Sequence, residues 1–383
     1  MAVRAATPTR LQRSIGALLG VHAGDSLGST FEFLTHAEIQ KSHPAGLRDM
    51  VGGGAFQRPA GAATDDTDMT RGILLAYHDL LKANGSTTLA AAGCSAGSGG
   101  VVQEEDSDVV KLSAQYFLAW LSGDWPGRQK GRQPVDIGGA TLTGLEKFKR
   151  TQDPGRAGAG IGQAGNGSLM RCIPTAIFQP CLREMIQQSM RISAITHNDP
   201  RCTISCAAYN TVAYALLNGK PPREAVDEGL RAARSLERGV NSDQDAGTGT
   251  GPESAVEQAM QLGLTLNIAN MAADGPEASV GKAKGYVLES LSIAVAAVMD
   301  PRALEDTLVD VVRLGGDTDT NAAIAGGLLG VRDGVDAIPL RWRQKLQFQE
   351  EFERTATLLV EGIEGNVSCT HNNEAEPVSS AML

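Results

Sequence analysis

Apolar residues recur along this chain every three to four positions, the period of a helix with one buried face. No segment alternates with the period of two that a half-buried strand requires. The first such pattern is Gln12–Leu19. After Thr67, residues Met69, Ile73, Ala76, Tyr77, Leu80 and Leu81 mark one helix face, and Asn84-Gly85 supplies a C-terminal stop. Further on, Pro301 suits the first turn of a helix whose stripe is Leu304, Leu308, Val311 and Val312, closed by Gly315-Gly316. A small-residue helix, Ala322–Gly330, follows Asn321. These patterns predict an all-α fold. The 45 glycines and many alanines add that the helices pack closely and join through tight turns.

No repeat of fixed period is present, so a single compact domain of orthogonal helices over residues 10–365 is expected rather than two units. Ala91–Asp108 and Val240–Ser254 lack any pattern that could bury much and read as surface insertions; residues 366–383 read as a disordered tail. A net charge of −10 argues against general nucleic-acid binding, which draws on clustered Lys and Arg. No apolar run approaches the roughly 20 residues needed to cross a bilayer, and Met1-Ala2-Val3-Arg4 starts no secretory signal. The six cysteines are scattered; Cys202 and Cys206 stand four apart but lack the second pair a structural zinc site wants. They read as buried thiols of an intracellular, cytoplasmic protein, expected to be a monomer.

Two polar clusters carry the chemistry. Thr64-Asp65-Asp66-Thr67-Asp68 lies between a glycine-rich loop and an amphipathic helix, and Asp317-Thr318-Asp319-Thr320 lies between Gly315-Gly316 and another. A helix start favours one such residue as a cap; four or five exceed that need. Carboxylates and hydroxyls without His or Cys suit a hard cation such as Mg²⁺, with Mn²⁺ as substitute. Asp65, Asp66, Asp317 and Asp319 would balance two divalent ions, with Thr64 and Thr320 as further oxygen ligands, and such a pair can activate water.

Gly24-Asp25-Ser26-Leu27-Gly28-Ser29-Thr30-Phe31-Glu32-Phe33, Thr64-Asp65-Asp66-Thr67-Asp68-Met69, Gly165-Asn166-Gly167-Ser168-Leu169-Met170-Arg171 and Gly316-Asp317-Thr318-Asp319-Thr320 stand in the order of one family's motifs. Together they resemble the ADP-ribosylglycohydrolase family. Val135-Asp136-Ile137-Gly138 and Gly285-Tyr286-Val287 resemble its dinitrogenase-reductase-activating branch, which releases ADP-ribose from arginine. The resemblance runs from about Gly16 to Trp342. It implies an all-α fold and a dinuclear magnesium site at Thr64, Asp65, Asp66, Asp317, Asp319 and Thr320. It also implies Glu32 and Asp136 as catalytic acids, Asn166-Gly167-Ser168 as a phosphate loop, His197 as a ribose or phosphate contact, and Tyr286 stacked on adenine. The implied partners are ADP-ribose and an ADP-ribosylated protein.

Asp68 departs from the family's pattern, in which Glu is common, and the two insertions could reshape the rim that meets a protein substrate. Gly160-Ile161-Gly162-Gln163-Ala164-Gly165 matches a dinucleotide-binding glycine pattern, but no strand precedes it, so it reads as a lead into the phosphate loop. Three rival functions remain. The first is the same fold acting on serine-linked ADP-ribose, O-acetyl-ADP-ribose or another conjugate. The second is a silent ADP-ribose-binding protein, against which the intact aspartates speak. The third is a two-metal phosphohydrolase, which would want basic residues beside the acids.

Overall fold

The computed structural model describes residues 7–83, 107–244 and 254–372. Among them are sixteen α-helices and no strand, only isolated backbone bridges. The first half of the chain forms α1 (Arg10–Gly28), α2 (His36–Ser42), α3 (Asp65–Ala83), α4 (Ser107–Ser122), α5 (Gly139–Thr151), α6 (Ile173–Phe178), α7 (Leu182–Ala194) and α8 (Pro200–Leu217). The second half forms α9 (Pro222–Gln244), α10 (Ala255–Gly263), α11 (Ile268–Asp274), α12 (Val287–Met299), α13 (Leu304–Arg313), α14 (Thr318–Asp333), α15 (Leu340–Arg343) and α16 (Gln349–Asn372). No helix among the described residues is long and apolar enough to cross a membrane.

The pattern of burial sorts these helices into an inner and an outer set. On α14 every residue from Thr318 to Val331 is buried, and on α1 all but Ile15 between Arg13 and Gly28. A helix enclosed on all sides is a core helix. By contrast α7 buries only Met185, Gln188, Ser189, Ile192 and Ser193, one amphipathic stripe.

What joins α1 to α14 is a row of glycines. Gly16, Gly20, Gly24 and Gly28 stand four apart, and residues at that spacing share one helix face. A Cβ on Gly20 would collide with the Gly326 carbonyl, one on Gly24 with that of Ala322, and one on Gly28 with the backbone of Thr318 and Asp319. From the other side, Gly326 and Gly330 meet the carbonyls of Gly20 and Gly16 in the same way. The two backbones therefore touch without side chains between them. Each helical glycine costs about 0.5–1 kcal/mol relative to alanine, and the close approach offsets it.

The N-terminus of α1 is fixed by a capping box: the Gln12 amide donates to Thr9 Oγ1 at 3.2 Å, and the Thr9 amide to Gln12 Oε1 at 2.9 Å. The helix then continues through Gly24–Gly28, past the Gln12–Leu19 pattern. Three other boundaries differ from expectation. Helix α13 begins at Leu304 with Ala303 as cap, so Pro301 lies in the connection before it. Helix α14 begins at Thr318, because the polar residues Thr318–Asn321 are buried in its first turn rather than preceding it. Helix α16 continues to Asn372, past the expected end of the domain at Gly365. The Asn84-Gly85 stop, most of the expected insertion at Ala91–Asp108, residues 245–253 of the second, and residues 373–383 lie outside the described residues.

Gly24→Ala is expected to force α1 and α14 apart, because the obstructing atoms are backbone and cannot rotate away. A loss of at least about 2 kcal/mol is predicted, within the range for overpacked cores. Urea denaturation checks it, and an unchanged midpoint would mean that the helices can separate freely.

Candidate active site

Three helices deliver one carboxylate each to a common point. Asp25 lies in the last turns of α1, Asp66 in the first turn of α3 and Asp319 in the first turn of α14, and one oxygen from each lies within 4.8 Å of the others. Asp25 faces Asp319 because the glycine contact sets those turns of α1 and α14 against each other. Asp25 also acts as a cap in trans for α3: its Oδ2 accepts the Thr64 amide at 3.0 Å, the Thr67 amide at 3.2 Å and the Thr67 hydroxyl. Free amides at a helix start favour an anion there.

Glu32, Asp136 and Asp319 form a second group within the same 4.8 Å, so Asp319 belongs to both. Glu32 comes from the turn after α1, held to the turn before α14 by Phe33 N–H donating to Gly316 at 2.9 Å and Gly316 N–H donating to Leu34 at 2.7 Å. Both Gly315 and Gly316 adopt φ of +78°, a conformation glycine takes at no steric cost. Asp136 comes from the loop before α5 and lies 3.8 Å from Arg58 Nη2.

The electrostatics of this floor are unusual. Burial, then the neighbouring charges of Asp65, Asp25 and Asp317, hold Asp66 well above the ordinary carboxylate range. Burial, then Asp66, Asp317 and Glu32, do the same to Asp319. Burial pushes Asp65 up as well, with Asp136 and Asp25 adding to it. Glu32 is pushed to about 8, by burial first and then by Asp136 and Asp317, and Asp25 to about 6 by burial against its hydrogen bonds. Burial also raises Asp136, opposed by Arg58. Asp25 Oδ1, Asp66 Oδ1 and Glu32 Oε2 are buried with no hydrogen-bond partner. Unpaired buried carboxylate oxygens are costly. Carboxylates converging in this way fit a hard cation, which would take those oxygens as ligands.

Above the floor lies a cavity of about 410 Å³, lined by Glu32, Phe33, Asp65, Asp136, Asp317, Asp319 and Thr320 on the acidic side. Its other wall is Gly138–Thr141, Gly165–Gly167, Met170, His197 and Lys284–Gly285. Gly138 caps α5 without a side-chain hydrogen bond, so that helix presents its first amides uncapped. The Gly165–Gly167 segment is fixed from behind, with Asn166 N–H donating to Gly285 at 3.0 Å and Val287 N–H to Ala164 at 3.1 Å. A Cβ on Gly165 or Gly167 would press on the His197 ring, which is itself buried.

Comparison with known proteins now bears on this arrangement. The ADP-ribosylglycohydrolase family model matches residues 6–368. The chain belongs to the ADP-ribosylglycohydrolase family. It is 27% identical over 349 residues to ADP-ribosyl-[dinitrogen reductase] glycohydrolase of Rhodospirillum rubrum, covering 90% of this chain and 94% of that one. It is 27% identical over 347 residues to ADP-ribosylarginine hydrolase Tri1 of Pseudomonas putida (strain GB-1), covering 90% and 77%. It is 24% identical over 369 residues to human ADP-ribosylhydrolase ARH3, covering 91% and 93%. A solved ADP-ribosylglycohydrolase-related protein complex superposes with a TM-score of 0.63 at 26% identity, over 91% of this chain and 97% of that one. As an ADP-ribosylglycohydrolase, the protein is a hydrolase of ADP-ribose glycosidic bonds.

Several residues of this glycohydrolase sit differently from the sequence expectation. Asp65 and Asp317 line the cavity but fall outside both convergent acid groups, which instead include Asp25. Thr64 and Thr320 direct their hydroxyls to Asp66 Oδ2, at 3.0 and 3.5 Å. Asn166 spends its side-chain amide on Asp317 Oδ2 at 2.8 Å and Ser290 Oγ at 3.0 Å, so it orients an acid rather than offering that group to a phosphate. The Ser168 side chain turns away from the cavity into the core, accepting from Ser193 Oγ at 2.9 Å, because a hydroxyl buried there must find a partner inside. Tyr286 lies outside the cavity lining with the Arg201 guanidinium 5.8 Å from its ring centre. Sequence reasoning passed over Arg58 and the uncapped start of α5; the Gly138-Gly139 pair after Asp136 was the available signal for the latter.

Because these carboxyls are raised, they stabilise the metal-free fold in their protonated form, and that stability is lost as pH rises. Asp25 and Glu32 place the window between about pH 4 and 8. The chelated protein is therefore expected to melt at a lower temperature at pH 8 than at pH 5.5, and Mg²⁺ should remove most of the difference. Thermal melts with and without chelator check it; a chelated protein more stable at pH 8 would contradict the electrostatic account.

Proposed function

We propose that this protein is a Mg²⁺-dependent hydrolase that releases ADP-ribose from arginine side chains. The observation that carries the reading is the pair of acid groups sharing Asp319 at the floor of the cavity, with three unpartnered carboxylate oxygens. Asp25, Asp66 and Asp319 would hold one ion and Glu32, Asp136 and Asp319 a second, with Asp65, Asp317, Thr64 and Thr320 completing or supporting the set. Bound there, two such ions supply Lewis acidity and fixed positive charge beside the ribose.

The protein's own groups divide the remaining work. Hydrolysis at the anomeric carbon passes through an oxocarbenium-like state, which anionic carboxylates stabilise. Glu32 and Asp136, each with a second carboxylate oxygen beyond the one it would give the ion, suit passing a proton from water to the departing nitrogen. The uncapped start of α5 and the Gly165–Gly167 wall face one cavity and suit the diphosphate. Arginine as the modified residue draws support from Asp136, which already has a guanidinium, that of Arg58, within 3.8 Å. A substrate guanidinium can take that place with parallel hydrogen bonds, and a serine ether cannot. The names of the Rhodospirillum rubrum and Pseudomonas putida relatives point the same way.

Chelation is expected to abolish activity, with Mg²⁺ or Mn²⁺ restoring it and Zn²⁺ a poor substitute, since the donor set is all oxygen. Full activity in protein shown metal-free by elemental analysis would contradict the metal assignment. Release from defined arginine-modified peptides is expected to exceed release from serine-modified ones by at least about tenfold, and Asp136→Asn to lose arginine-linked turnover while keeping ADP-ribose affinity. Equal rates on the two peptides would favour the serine or small-conjugate alternative.

A further inference from the structure

Arg171 is fully buried, yet among the described residues no carboxylate pairs with it. Its guanidinium lies 4.4 Å from the centre of the Phe117 ring. Nη1 donates to the Gly167 carbonyl at 2.9 Å and Nη2 to Thr196 Oγ1 at 2.7 Å. A buried cation without a paired carboxylate costs several kcal/mol; besides a contact of Nη1 with Met69 Sδ at 3.6 Å, its bonds to Gly167 and Thr196 end beside the cavity.

The second bond fixes a proton. Thr196 Oγ1 lies 2.8 Å from His197 Nδ1. A guanidinium can only donate, so the threonine oxygen accepts from Arg171 and its own hydroxyl proton is free to go to Nδ1. A neutral imidazole that accepts at Nδ1 carries its hydrogen on Nε2. His197 is neutral, because burial and then Arg171 push its pKa down to about 3. Nε2 is the ring nitrogen beside Gly165 and Gly167, and all three residues line the cavity.

We propose that Arg171 and Thr196 are positioning residues that lock His197 in the Nε2–H tautomer, so that the cavity presents a fixed N–H donor to a phosphate or ribose oxygen of its ligand. The identity of that ligand rests on the ADP-ribose reading above; the relay does not. The Gly167 bond adds to it by holding the ligand wall at a set distance from the ring.

Long-range hydrogen–nitrogen correlation spectra of the ligand-free, histidine-labelled protein read the tautomer directly. The chain has six histidines, and loss of signals in His197→Gln identifies the relevant ring. His22 is an internal reference of the opposite kind. Ser26 Oγ donates to the Ala62 carbonyl at 3.0 Å, so it accepts from His22 Nδ1 at 3.1 Å, while Nε2 accepts the Phe348 amide at 3.3 Å. The expected result is Nε2–H at His197 in wild type and Thr196→Ser, and a shift toward Nδ1–H in Thr196→Val and Arg171→Met. ADP-ribose binding should weaken about tenfold in Thr196→Val and stay within about twofold in Thr196→Ser, as expected for one lost hydrogen bond to a charged group. Nδ1–H in the wild type overturns the relay, as does an unchanged tautomer in a folded Thr196→Val. A shifted tautomer with unchanged ADP-ribose affinity overturns the donor role. If the wild type binds no ADP-ribose while the tautomers hold, the functional reading falls and the relay stands.

Discussion

The close contact between α1 and α14 is the constraint on which the rest of this molecule depends. Hydrophobic burial draws the two helices to the centre, but only the row at Gly16, Gly20, Gly24 and Gly28 lets their backbones meet. Interposed side chains would hold the axes farther apart, and Asp25 would no longer share a site with Asp319. The turn that follows α1 carries Glu32 and the first turn of α14 carries Asp319, so the same contact sets two of the three acids of the second group. Fold and chemistry are therefore coupled at one interface.

The floor stores an electrostatic cost that the rest of the structure must bear. Five carboxylates in two overlapping groups are opposed by one nearby guanidinium, that of Arg58, and three of their oxygens have no partner. Elsewhere the protein satisfies buried acids fully: Asp68 receives hydrogen bonds from Trp120 at 3.0 Å, Trp125 at 3.1 Å and the Arg128 guanidinium. The contrast between Asp68 and Asp66, two residues apart on α3, separates an acid that serves the fold from one left poised for a ligand.

Much of this was legible in the amino-acid sequence, and the remainder was not for identifiable reasons. Helix stripes such as Met69, Ile73 and Tyr77 declare themselves because periodicity is a local property, and the two aspartate clusters stood out by exceeding what a cap needs. The spacing of the glycines of α1 gives no sign of a partner; their purpose appears only when α14 is set beside them. Asp25 stands in a motif with no role attached, because the helix start it caps, that of α3, lies 39 residues away. Ser168 and Asn166 lie in a motif whose backbone faces the cavity, and sequence does not tell which side chains turn inward. Arg58 meets Asp136 and Arg171 meets Thr196 only in the fold, so neither contact has a local signal.

The central proposal is that the α1–α14 contact places Asp319 where it would serve two cations. Crystals of the protein grown with Mn²⁺ test it most directly, through the anomalous scattering of the metal. The account predicts two anomalous peaks on either side of the Asp319 carboxylate, one beside Asp25 and Asp66 and the other beside Glu32 and Asp136. No peak at this floor in protein that retains turnover, or a single ion without contact to Asp319, would contradict it.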